Sequence, residues 1–199
     1  MAHYLFETDW ALAAPMEEVF DVLAHPGDFA DWWPAVEESV LLEEGDSEGI
    51  GRRAWYAIRS PLLYRLRFEV RSLEVDRPRR FHALVRGDLI GTGTYVLAAE
   101  DGVTHVRFNW YVSTTRGWMN AVALVAKPLL AWAHHRVMRD GCAAMASHLG
   151  AELTSFDTTL VARPTPVSAE QHESDVLQSR STVAVRGDSM AISTADEDS

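Results

Sequence analysis

Among 199 residues there is one cysteine, Cys142. That excludes an intramolecular disulfide framework and any thiolate zinc cluster. Lysine is as scarce: of the 18 basic residues, Lys127 is the only one that is not arginine. Against 29 acidic residues the balance is −11, which argues against a nucleic-acid binder held by phosphate contacts. Met1-Ala2-His3-Tyr4-Leu5-Phe6-Glu7 has no basic stretch ahead of an apolar one. No secretory signal is read there, and a cytoplasmic location is expected. The stretch Trp118 to Ala133 has 16 residues with Lys127 as its only charge. It is shorter than the roughly 20 residues of a membrane span and contains Pro128. A Gly-rich phosphate loop, a nucleophile elbow and a spaced carboxylate dyad are missing, and no cofactor is expected; nor is a metal, because the adjacent His134 and His135 diverge on a helix and lack a third ligand.

What is present is apolar and aromatic. The chain is 47% hydrophobic, and all seven of its tryptophans fall within the first 132 residues. That is enough to build a core. Composition changes near the C-terminus: residues 152–199 hold nine acidic, three basic and 14 Ser or Thr residues, with Phe156 the one aromatic. Such a segment buries too little apolar surface to offset its ordering entropy. The expected organisation is therefore a folded domain over 1–153 and a disordered acidic tail over 154–199. The tripeptide Arg186-Gly187-Asp188 in that tail is read as chance.

The body follows a clear order. Residues 3–12 alternate, with Tyr4, Phe6, Thr8, Trp10 and Leu12 on one face, as a half-buried strand does. Pro15, Glu17 and Glu18 open a helix that ends at His25-Pro26-Gly27, and a second short helix runs from Asp28 to Trp33. Six strands are predicted at about 36–43, 50–59, 63–76, 79–87, 89–99 and 103–114, separated by turn chemistry such as Asp76-Arg77-Pro78 and Glu100-Asp101-Gly102. Residues 118–149 form the one long helical pattern. Leu124, Ala131, His135, Met138, Cys142, Met145 and Leu149 make its main seam, beside a stripe of Trp118, Val122, Val125, Leu129 and Trp132. Pro128 should kink or restart this helix. Seven strands in sequence make a curved antiparallel sheet, and a long helix with so broad an apolar face suits such a sheet.

This order resembles the helix-grip fold of the START-like (SRPBCC) superfamily, an α+β fold. The segment from Ala14 to Leu23 is similar to the first helix of its polyketide cyclase/dehydrase-like branch. The segment His25-Pro26-Gly27-Asp28-Phe29-Ala30-Asp31-Trp32-Trp33-Pro34 is similar to that branch's second helix. Trp132-Ala133-His134-His135-Arg136-Val137-Met138 resembles a Trp-Asn-His-Asp-x-Val-Met pattern in the last helix, with Ala133 in place of the Asn and His135 in place of the Asp. The resemblance covers about residues 3–150. It implies a seven-stranded sheet wrapped around the long C-terminal helix, with a ligand cavity between them.

By alternation, the candidates to line such a cavity are Trp55, Tyr64, Leu66, Phe68, Phe81, Ala83, Val85, Thr92, Thr94, Phe108 and Trp110. Trp33, Trp118, Val125, Leu129 and Trp132 are added from the helices. Gly91 and Gly93 interleave with Thr92 and Thr94, which would leave space rather than fill it. His134 and His135 are the candidate acid–base pair. Period places His135 nearer the seam, whereas the family pattern points to His134. The first functional reading is a binder of a small hydrophobic ligand: a polyketide, a lipid or an isoprenoid. The alternative is a polyketide cyclase, in which His134 or His135, with Tyr64 or Thr94, moves protons during aldol closure and dehydration. An acyl carrier protein is the candidate partner of Arg52-Arg53 and of Arg77, Arg79 and Arg80, although such clusters more often face water beside acids such as Glu43 and Glu74. A third reading is a regulatory partner acting through the acidic tail.

Overall fold

Alternating apolar and polar side chains force strands with one dry face, and the connecting turns are short enough to make successive strands neighbours. The computed structural model describes residues 3–115 and 117–161, and the side chains among them except those of 3 and 118–127. Its strands are β1 (His3–Leu12), β2 (Val36–Glu43), β3 (Arg53–Arg59), β4 (Arg65–Asp76), β5 (Arg80–Gly87), β6 (Leu89–Glu100), β7 (Val103–Thr114) and β8 (Leu153–Val161). They form one antiparallel sheet in the order β2-β3-β4-β5-β6-β7-β1-β8. Helix α1 (Met16–Ala24) and the short α2 (Phe29–Trp32) follow β1, and α3 (Gly117–Leu149) follows β7. The helix-grip architecture is thus present, with Pro128 inside a continuous α3.

The eighth strand corrects the expected count of seven. β8 runs past the boundary expected at 153/154, so ordered chain continues at least to Val161. Its register on β1 sets Phe156 opposite Trp10, Thr158 opposite Thr8 and Leu160 opposite Phe6. The Thr158 hydroxyl donates to that of Thr8 at 2.9 Å. The segment reads as polar because it is rich in threonine, but threonine is β-branched and fits a pleated surface well. The remainder of the expected tail lies outside the described residues.

α1 buries Val19, Phe20, Leu23 and Ala24 and keeps Glu17 and Glu18 in its first turn. Its last carbonyl, that of Ala24, accepts a hydrogen bond from Arg52, which also donates to the carbonyl of Glu44. A cation is well placed at this negative end of the helix dipole. The other basic clusters are likewise engaged within the chain. Arg53 pairs with Glu43 at 2.7 Å, Arg77 with Asp21, and Arg80 with Glu74 at 3.4 Å.

α3 is fastened over the sheet by Trp33. This indole, 8% exposed, donates from Nε1 to the carbonyl of Val137 at 3.2 Å. It lies so close to Gly141 that a Cβ there would stand 2.3 Å from the ring. Only glycine lets the indole approach the helix backbone this closely. Gly141→Ala gains about 1 kcal/mol of helix propensity but overpacks a rigid ring, which typically costs about 1–3 kcal/mol. The expected net result is a loss, read by circular dichroism as a melting temperature lower by several degrees. A higher melting temperature would show that Trp33 does not depend on this contact.

Candidate functional site

Between the sheet and α3 lies a cavity of about 190 Å³. Its walls follow from strand alternation. β1 contributes Tyr4 and Phe6, β3 contributes Ala54, Tyr56 and Ile58, and β4 contributes Leu66, Phe68 and Val70. Phe81 and Ala83 come from β5, Gly93 and Tyr95 from β6, and Phe108, Trp110 and Val112 from β7. The helical side is Phe29 and Trp33 with Leu130, Ala133, His134, Val137 and Met138. The aromatic rings touch in series. Trp33 neighbours Phe29, Phe29 neighbours Tyr56, Tyr56 neighbours Phe68, and Phe68 neighbours Trp110, with centroids 5.7–5.9 Å apart. Phe108 continues the series, 5.4 Å from Trp110 and stacked on Tyr95 at 4.2 Å.

Several predicted lining residues are where the alternation puts them: Trp33, Tyr64, Leu66, Phe68, Phe81, Ala83, Phe108 and Trp110 all face the cavity. Others do not. Trp55 is one position out of phase, because Ala54, Tyr56 and Ile58 are the inward set of β3. Thr92 and Thr94 point away from the cavity, since Gly93 and Tyr95 take the inward positions of β6. The Thr94 hydroxyl instead meets Nδ1 of His82 at 2.6 Å. Val85 is fully buried in the core without reaching the cavity. Leu129 and Trp132 are about half exposed, because the inward face of α3 is set by Leu130, Ala133, His134, Val137 and Met138. The side chains of Trp118 and Val125 lie outside those described. Tyr4, Phe6, Phe29, Tyr56 and Tyr95 were not on the predicted wall. For Tyr56 a signal exists, since Arg53 and Arg59 share a phase with Trp55 and mark that face as the wet one.

The two histidines separate. His135 packs edge-on against Phe156 of β8, with centroids 5.3 Å apart. His134 faces the cavity and lies flat on Phe6, with centroids 3.9 Å apart and planes 17° from parallel. Its Nε2 is shut off from solvent and has no hydrogen-bond partner among the described residues. Burial, assisted by the neighbouring His135, pushes its pKa down to about 3. It is therefore a neutral imidazole at pH 7. Burial likewise raises the pKa of Tyr56 and Tyr95, so both stay protonated. The thiol of Cys142, in the seam of α3, is raised the same way and is inert. Arg52 is the one formally charged side chain at the cavity among the described residues. No group of three metal-ligating side chains converges among those residues.

Residues 5–150, which run from within β1 through β7 and all of α3, match the family described as polyketide cyclase / dehydrase and lipid transport. The chain belongs to that family. Membership implies hydrophobic-ligand binding or polyketide cyclase chemistry. No curated protein sequence matches the chain. Among solved structures it is similar to the Zhui aromatase/cyclase of a Streptomyces species, with 17% identity, a TM-score of 0.62 and coverage of 75% of this chain and 94% of that one. It is also similar to a START superfamily protein of Mycobacterium smegmatis, with 8% identity, a TM-score of 0.61 and coverage of 74% and 97%. A conserved protein of Geobacillus kaustophilus gives 13% identity, a TM-score of 0.61 and coverage of 77% and 98%. At such identities the likeness establishes the shared helix-grip fold.

His134 makes the stability of this family member pH-dependent. An unfolded histidine takes up a proton near pH 6.5, whereas the folded one resists protonation down to about pH 3. Between those values the unfolded state binds more protons, so stability falls as pH drops. In His134→Leu this contribution vanishes. The wild-type curve of unfolding free energy against pH, measured with urea from pH 4 to 7.5, should therefore slope more steeply than that of the variant. Parallel curves would place the imidazole in a wetter environment.

Proposed function

We propose that this protein binds a small hydrophobic ligand in the cavity between the sheet and α3. The observation that carries this reading is the make-up of the wall. A series of touching aromatics lines the space, and the one charged side chain there among the described residues has hydrogen bonds committed to the carbonyls of Ala24 and Glu44. Concave, apolar, preformed sites with few polar groups are the usual form of a ligand pocket. Lipids, polyketides and isoprenoids all fit that description.

The family also favours a second reading, polyketide cyclisation. Of the acid–base candidates, His134 and Tyr64 face the cavity, whereas His135 and Thr94 do not. A general base works best with a pKa near the operating pH, and His134 is held far below it. That favours a hydrogen-bonding role for His134 over proton abstraction. The dispersal of Arg53, Arg77 and Arg80 into intramolecular pairs leaves carrier-protein docking without a dedicated basic patch among those residues.

Native mass spectrometry of the full chain from its own host, followed by organic extraction, should reveal a co-purifying apolar molecule. Ala133, 3% exposed on the inward face of α3, provides the control. Ala133→Phe fills the space and should weaken ligand binding at least about tenfold, while the ligand-free melting temperature stays close to the wild type. If Ala133→Phe leaves binding unchanged, the ligand does not sit in this cavity. Turnover of a poly-β-ketone substrate that survives His134→Leu would remove His134 from the chemistry.

A further inference from the structure

The cavity uses one face of the sheet, and the opposite face carries charge of mainly one sign. Where β3 and β4 pair, the inward partners are Ala54 with Val70, Tyr56 with Phe68 and Ile58 with Leu66. The outward partners are therefore Arg53 with Arg71, Trp55 with Glu69, Ala57 with Arg67 and Arg59 with Arg65. Arg86 of β5 stands opposite Glu69 on the same face. Two of these pairs set arginine directly against arginine, which destabilises a sheet.

Carboxylates offset this only in part. Glu69 lies 3.5 Å from Arg53. From β2, Glu43 pairs with Arg53 at 2.7 Å, and Glu37 is shared by Arg59 at 3.2 Å and Arg65 at 2.5 Å. Six arginines against these three carboxylates leave an excess of three positive charges, in a chain whose balance is −11. The side chains of Arg59 and Arg65 remain 61% and 60% exposed, and Arg67 is exposed as well.

We infer that this outer face docks an acidic helix of a partner protein. The inference concerns the side of the sheet away from the cavity and does not rest on the ligand reading. Dimensions favour that occupant. From Arg53 to Arg59 the strip is about 20 Å long, and β3 to β5 span about 10 Å. An α-helix with its side chains is about 10–12 Å across. Acids at i and i+4 of a helix are about 6 Å apart, close to the roughly 7 Å between alternate strand residues such as Arg65 and Arg67. Arginine forks also suit carboxylates, which they bind through paired hydrogen bonds. Nucleic acid fits less well. An extended polyanion would run past the strip, on one side over β2 with its Glu37, Glu38 and Glu43, and would meet the negative balance of the whole chain.

The test uses a fluorescein-labelled, alanine-based helical peptide of about 17 residues, with glutamate at successive i, i+4 positions, and its glutamine counterpart. Fluorescence anisotropy with the full chain at pH 7 and low salt should show the glutamate peptide binding at least about tenfold more tightly than the glutamine one. Added salt should weaken that binding. Arg65→Gln combined with Arg67→Gln should cost about tenfold in affinity. Arg79→Gln, at an exposed position in the turn before β5, should leave affinity within about twofold. Exposed arginines contribute little to stability, so both variants should keep the wild-type melting temperature. Lack of binding at low salt, equal affinity for the two peptides, or affinity that survives loss of Arg65 and Arg67 overturns the inference. An equal loss in Arg79→Gln also overturns it, because the effect would then be one of overall charge. Tighter binding of an oligo-dT strand of equal charge to the same arginines would make the occupant nucleic acid and overturn it too.

Discussion

The cavity depends on Trp33 resting on Gly141. A sheet this curved could collapse onto a helix lying directly in its trough and leave no space. The indole prevents that by holding α3 at a fixed place along its backbone. Its N–H donates to the carbonyl of Val137, and its Nε1 side lies against a glycine with no Cβ to push it away. Because Trp33 sits at the end of α2, the same contact joins the segment after β1 to the C-terminal helix. Trp32 extends the clasp by stacking on Trp33, with centroids 5.6 Å apart. The position of α3 therefore follows from a rigid aromatic wedge and a glycine, and not from helix propensity, which Gly141 opposes.

Once α3 is held, the width of the cavity is set by the rings beneath it. Phe29, Tyr56, Phe68, Trp110 and Phe108 lie in successive tilted contacts, with interplanar angles of 36–53° and centroids 5.4–5.9 Å apart. Gly93 has a part in this. A Cβ there would stand 2.8 Å from the Trp110 ring, so the strand yields room that the indole occupies. Gly93 therefore seats an aromatic side chain rather than leaving a void, whereas a Cβ on Gly91 would meet the backbone of Tyr111 and Val112. Stiff side chains with two torsions lose little entropy in such an arrangement, which lets an apolar space persist where flexible aliphatic chains would fill it.

Much of this was legible in the residues. Strand alternation over Tyr64 to Arg71 and over Val106 to Val112 identifies the inward face, because arginines and acids mark the other side. The signal fails where both phases of a strand carry apolar groups. In β3, Trp55 outweighs Tyr56 by size, yet Tyr56 shares its phase with Ala54 and Ile58 and faces inward. In α3 an apolar stripe on each of two adjoining faces leaves the phase undecided by about one residue. Trp132 and Leu129 thus look as suitable as Leu130 and Ala133 until Trp33 fixes the rotation. The eighth strand was hidden for a different reason. Composition averaged over residues 152–199 is dominated by acidic and hydroxyl side chains, and that average hides the nine-residue alternation of β8.

The polar groups are few, and their placement separates stability from recognition. Thr8 and Thr158 pair with each other, Thr104 donates to the carbonyl of Ala14 at 2.7 Å, and Trp33 is satisfied by α3. These groups stabilise the fold and are spent on it. Tyr4 and His134 differ, because a protein selected for stability alone would gain by replacing either with phenylalanine or leucine. The Tyr4 hydroxyl and His134 Nε2 lie on the cavity wall with no partner among the described residues, so they are placed to meet whatever enters the cavity. Apolar area gives a ligand affinity without direction, whereas polar atoms on the wall fix its orientation. A site of this kind discriminates best against molecules of the right shape that lack the matching group, since those leave the orphans unpaired a second time.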